Sequence, residues 1–108
     1  MRKLEETIFT NGHKYELHKR DGDIAVYKQF DKKLDFLVGF EIFEIPVRPQ
    51  EMVDGRLLPE REIYPASSTW GVTSFTLKNT ASEEDIDNKI ETIKENIKHR
   101  VNRYENKR

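Results

Sequence analysis

The stretch TIFTNGHKYELHKRDGDIAVYKQF, residues 7 to 30, decides the fold class. It holds three short apolar runs separated by Asn11-Gly12 and Asp21-Gly22, dipeptides that tolerate the positive φ angles of tight hairpin turns. This spacing predicts a three-stranded antiparallel meander. In the second run Tyr15 and Leu17 share one face while Lys14, Glu16 and His18 share the other. In the third, Ile24, Val26 and Phe30 lie on one side and Ala25 and Tyr27 on the opposite one. One dry face is expected.

Beyond the meander, DFLVGFEIFEIPV, residues 35 to 47, reads as a longer strand whose apolar phase changes along its length. Phe36, Val38, Phe40 and Ile42 alternate on one parity, and Phe43, Ile45 and Val47 continue on the other. Keeping both sets inward requires a bulge near Ile42 and Phe43, or else cover on both faces. Pro46 and Pro49 withhold backbone donors, so the strand ends or leaves the sheet near residue 46. From Arg48 to Thr69 the sequence is least regular, and Asp54-Gly55 there closes a small hairpin, or flap, flanked by Met52, Val53, Leu57 and Leu58. A loop this long in a compact domain is usually functional or ordered as a substructure. In the following segment, Trp70, Val72, Phe75 and Leu77 are expected to anchor a strand in the core.

The C-terminal third predicts a helix over residues 82–104. Ile86, Ile90, Ile93, Ile97, Val101 and Tyr104 recur on one stripe. Ser82 is placed as N-cap with Asp85 three residues on, and Glu83, Glu84, Asp85 and Asp87 set negative charge at the positive end of the dipole. Lys98, Arg100, Arg103, Lys107 and Arg108 reverse the sign at the far end. The fold class is therefore α+β, an antiparallel sheet of about five strands (7–78) packed by one C-terminal helix. Met1–Glu6 and Asn106–Arg108 are expected to fray.

At 108 residues the chain fits one domain, spanning 1–108. Charged residues make up 36% and hydrophobic ones 35%, so the core is expected to be thin, supplied mainly by large rings. A net charge of −1 gives no broad positive field for duplex binding. The absence of cysteine excludes disulfides, thiolate metal sites and a cysteine nucleophile, and fits a cytoplasmic location. No segment reaches the roughly 20 apolar residues of a membrane span, so no membrane association is expected.

No catalytic constellation emerges. His13 and His18 point to opposite strand faces, His99 lies on the exposed flank of the helix, and no HxH, HxxxH or HExxH spacing occurs. Glu41, Glu44, Glu60 and Glu62 read as solvated carboxylates or partners of Arg48, Arg56 and Arg61. Ser67, Ser68 and Thr69 lack the GxSxG elbow and the SxxK lysine that activate hydroxyls. The five glycines are isolated and form no phosphate loop. No enzyme activity, cofactor or metal is expected.

The block EREIYPASSTWGVTSFTL, residues 60 to 77, together with GFEIFEI, residues 39 to 45, resembles a pattern in small proteins of bacteriophages and other mobile elements. Tyr64-Pro65, Trp70-Gly71 and Phe75-Thr76 carry it, with Phe75 standing where the pattern has a second tryptophan. The resemblance implies a small accessory protein that binds a host protein, in the manner of an anti-CRISPR inhibitor of a defence complex, inside the host cytoplasm. The expected partner-binding residues are Arg48, Arg56, Arg61, Tyr64 and Trp70, because Arg and aromatic rings are enriched at interface hot spots. The alternative is a nucleic-acid-binding module in which the long loop and the basic helix end converge into a positive strip. A monomer and a homodimer both fit the sequence, since an open edge strand can pair with a second copy.

Overall fold

The computed structural model describes residues 1–10, 12–33, 35–66 and 69–105, with side chains described as far as Arg100. In chain order the elements are β1 Thr7–Thr10, β2 His13–Asp21, β3 Ile24–Asp31, β4 Leu37–Glu44, β5 Val47–Arg48, β6 Glu51–Val53, β7 Arg56–Leu58, β8 Arg61–Glu62, β9 Ser74–Lys78 and α1 Glu83–Glu105. Strands β1-β2-β3-β4-β9 form one five-stranded antiparallel sheet packed against α1, the α+β arrangement the sequence predicts. The meander is β1-β2-β3, as expected from the two turn dipeptides, of which Asn11 lies outside the described residues.

The apolar phase change in β4 is resolved by cover on both faces. Pairing with β3 runs without a shift from Ile24↔Glu44 to Gln29↔Gly39, so there is no bulge at Ile42 and Phe43. Ile24, Val26, Phe40 and Ile42 meet Ile86, Ile90 and Ile93 of α1 in one core. On the opposite face Tyr15, Ala25, Tyr27, Phe43 and Ile45 form a second core, against which Leu4, Ile8, Leu17 and Tyr64 pack. The expectation of a single dry face is thus corrected: β3 and β4 are sandwiched. Each fully buried large side chain, Ile42 and Phe43 among them, contributes about 1.5–3 kcal/mol relative to exposure. Phe30 stands apart from both cores. It follows a register shift after Gln29 and lies under the Lys14 ammonium instead.

The second face is covered by residues expected to fray. Arg2 N–H donates to Glu60 O and accepts through its carbonyl from Glu62 N–H, at 3.3 and 2.9 Å. Leu4 N–H donates to the Glu62 carboxylate at 2.8 Å, and the buried Tyr27 hydroxyl donates to Glu5 O at 2.7 Å. These bonds hold the N-terminal segment as a strap because they satisfy groups that the sheet itself leaves unpaired.

Helix α1 begins as predicted. Ser82 N–H donates to the Asp85 carboxylate and Asp85 N–H to Ser82 Oγ, a reciprocal capping box. Its acidic first turn also docks the helix on β2: Lys19 Nζ reaches Glu83 at 3.1 Å and Asp87 at 2.6 Å, and His18 Nε2 pairs with Glu83. A β-bulge between Leu17 and Lys19 brings both neighbours toward the helix. Farther along, Lys94 meets Asp21 and Arg100 forks onto Glu44. Exposed pairs of this kind each contribute little, because water screens them. Together they set the direction of the helix across the sheet.

Candidate binding surface

The span 48–69 is more regular than its composition implies. Val47–Arg48 pairs with Arg61–Glu62, and beyond it Glu51–Val53 pairs with Arg56–Leu58 around Asp54 and Gly55. Both turn residues have positive φ, 50° and 76°. A two-residue turn of that type matches the right-handed strand twist and tolerates Asp-Gly. The expected flap exists as the β6-β7 hairpin. It projects from the body, contacting little beyond its own two strands.

Its side chains are arranged for contact with something else. Met52 and Leu57 are directly opposed across the hairpin and are 64% and 59% exposed. Val53 and Val47 are also exposed, so four apolar side chains stand in solvent on one short stretch. Arg56 lies opposite Val53 and makes no ion pair among the described residues. Glu51 ties down the other two arginines: Arg61 donates to it at 2.9 Å and Arg48 lies 3.6 Å away, which holds the Glu51 carboxyl below its ordinary range, chiefly through the Arg61 hydrogen bond.

The five residues expected to bind a partner therefore separate. Arg48 and Arg56 are exposed at the flap. Arg61 is only 19% exposed, engaged by Glu51 and Pro59 O, and serves the base of the flap. Tyr64 is not an exposed anchor. Its ring packs 4.8 Å from Phe43 and 5.6 Å from Tyr15, and its hydroxyl is buried without a hydrogen-bond partner among the described residues. Trp70 is half-buried in a turn that precedes β9, bridged to Ser74, and belongs to neither core. The strand expected from Trp70 begins only at Ser74. Val72 is exposed, and only Phe75 and Leu77 of that group pack toward α1. Ser67 and Ser68 lie outside the described residues.

Two glutamates have surroundings the sequence did not reveal. Glu41, on the same face of β4 as Phe43, is 9% exposed, and its Oε2 has no hydrogen-bond partner among the described residues. Burial pushes its pKa up to about 7. Glu62 carries a side chain 2% exposed and is gripped by the Arg20 fork at 2.8 and 2.6 Å as well as by Leu4 N–H. The Arg20 hydrogen bonds pull its pKa down to about 2. Both were read as solvated or as partners of Arg48, Arg56 and Arg61. The signal that identifies Glu41 is an acid in mid-strand, between Phe40 and Ile42, where apolar residues occupy both parities.

Beside Glu62 a cleft of about 240 Å³ runs between the strap and β8, lined by Leu4, Ile8, Tyr64, Arg2 and Lys3. Among the described residues no group of three or more His, Asp or Glu converges as a metal site. At the basic helix end Arg100 is engaged by Glu44 and His99 by Glu95, while Lys98 is exposed. No helix among the described residues is long and apolar enough to cross a membrane. No family model, curated protein or solved structure was found to match this chain.

Proposed function

We propose that this protein acts by stoichiometric binding of a partner protein through the β6-β7 flap, without turnover of a substrate. The observation that carries this reading is the exposure of Met52, Val53 and Leu57 on a projecting hairpin, with Val47 exposed on β5 beside it and Arg56 in no ion pair among the described residues. Exposed apolar side chains such as the opposed Met52 and Leu57 lose water on docking, and Met and Arg are enriched at such contacts. An arginine at the rim supplies directional hydrogen bonds to an acidic group on the partner. The resemblance of residues 39–45 and 60–77 to mobile-element proteins supports a host defence complex as the kind of partner. The nucleic-acid alternative has less support, because Arg48 and Arg61 share Glu51 and Arg100 is held by Glu44.

Affinity capture of the tagged protein from bacterial lysate treated with nuclease identifies the partner, and calorimetry with the purified partner then measures the binding. The expected result is a one-to-one complex that loses at least about tenfold in affinity, or about 1.4 kcal/mol, in the Met52→Ser, Leu57→Ser, Arg56→Ala variant. These side chains are exposed, so the variant's thermal unfolding should match that of the parent. Undiminished binding by the folded variant refutes the flap reading. Capture that vanishes with nuclease, together with affinity that falls steeply with salt, favours the nucleic-acid alternative.

A further inference from the structure

We propose that β1 is a homodimerisation edge, through which two copies join their sheets into one continuous antiparallel sheet. β1 is the terminal strand of the sheet and pairs only with β2. The hydrogen-bond phase of that pairing follows from Leu17 N–H donating to Glu6 O. Antiparallel ladders alternate, so Ile8 and Thr10 continue the bonds to β2, while the N–H and C=O groups of Thr7 and Phe9 face away from the sheet. An open edge of this kind is a template for another strand.

The two edges of the sheet are not equivalent. At β9 the chain folds back: Gly71 N–H donates to Ser74 O at 2.7 Å and Trp70 bridges Ser74, which blocks the start of that strand. Among the described residues no other segment bonds the outer side of β1, and the Lys32 ammonium lies 5.7 Å over the Phe9 ring. Thr-Ile-Phe-Thr carries no charge, proline or bulge, the features by which edge strands ordinarily resist pairing. Phe9 is also 61% exposed, and the helix makes its contacts with β3, β4 and β9 rather than with β1.

The occupant that fits is a second copy because the free edge is self-complementary. With a two-fold axis through Ile8, Thr7 of each copy faces Phe9 of the other, and these two pairs exchange about four main-chain hydrogen bonds. Ile8 then lies opposite Ile8 of the second copy and extends the apolar strip it shares with Tyr15. Phe9 packs on Thr7 of the second copy on the other face. Glu6 falls opposite Thr10, so this register opposes no like charges. The interface is shorter than those of permanent dimers, and the association is accordingly weak and reversible.

Sedimentation equilibrium up to about 1 mM protein, with amide exchange at Phe9 measured at the low and high ends of the range, tests the proposal. Association to dimer is expected, with the Phe9 amide exchanging at least about tenfold more slowly at the high end. Phe9→Pro removes an outward-facing donor without taking a bond from the β1-β2 ladder, so the folded variant should remain monomeric. A parent protein that stays monomeric at the highest concentration, or a folded Phe9→Pro variant that still dimerises, overturns the proposal. If that variant does not fold, the parent's Phe9 exchange decides: protection that does not change with concentration overturns it.

Discussion

Replacing Glu41 by Gln should stabilise the protein at neutral and alkaline pH and leave it nearly unchanged in mild acid. The Glu41 carboxyl is buried, its Oε2 has no hydrogen-bond partner among the described residues, and desolvation raises its pKa from 4.5 to about 7. A carboxyl whose folded pKa lies above its unfolded value makes the native state bind more protons between the two, so stability falls as pH rises through that window. The gap from 4.5 to about 7, at 1.36 kcal/mol per pH unit, sets the loss at about 3 kcal/mol, complete a little above pH 7. Urea unfolding followed by circular dichroism at steps between pH 4.5 and 8.5 should show that slope in the parent and its absence in Glu41→Gln. The curves should meet near pH 4.5. Parallel pH profiles, or a variant less stable than the parent at pH 8, would refute the buried, unpaired carboxyl.

Glu62 works in the opposite sense. Its pKa is drawn down to about 2 by the Arg20 fork, so the stability it contributes is present above pH 4.5 and is lost as pH falls toward 2, and acid unfolding should lose this component in Glu62→Gln. At neutral pH that variant removes the carboxylate from the partly exposed Arg20 guanidinium and should cost about 1.5–3 kcal/mol by chemical denaturation. Gly39→Ala would place a Cβ 2.4 Å from Leu77 O, across the β4-β9 pairing. A cost of about 1–3 kcal/mol is expected from the shift this forces, visible as a lowered urea midpoint and faster exchange of β9 amides. Ser82→Ala removes half of the capping box and should cost about 1 kcal/mol, with the first turn of α1 losing amide protection before the rest of the helix.

Short-range patterns carried much of this fold in the sequence itself. The hairpin turns at Gly12 and at Asp21-Gly22, the Asp54-Gly55 flap and the Ser82 capping box depend on φ preferences and on bonds between residues a few positions apart. The isoleucine stripe of α1 was legible for the same reason: a 3.6-residue period needs no knowledge of what the helix meets. Of the flap surface, Arg48, Arg56 and the apolar flank could be located because a hairpin this short has no interior in which to hide them.

What only the tertiary structure decided is where distant segments meet. Period-two alternation shows that β4 has two apolar faces but not which elements cover them, and the cover comes from residues 2–8 and 64 on one side and 86–97 on the other. Tyr64 accordingly left the list of exposed anchors and joined a core. Glu41 and Glu62 look alike in sequence, yet burial without a partner raises the pKa of one and an arginine from 42 positions away lowers that of the other. Electrostatic environment depends on packing in three dimensions, whereas hairpin and helix signals are local; the sequence determined the elements, and their assembly determined the charges.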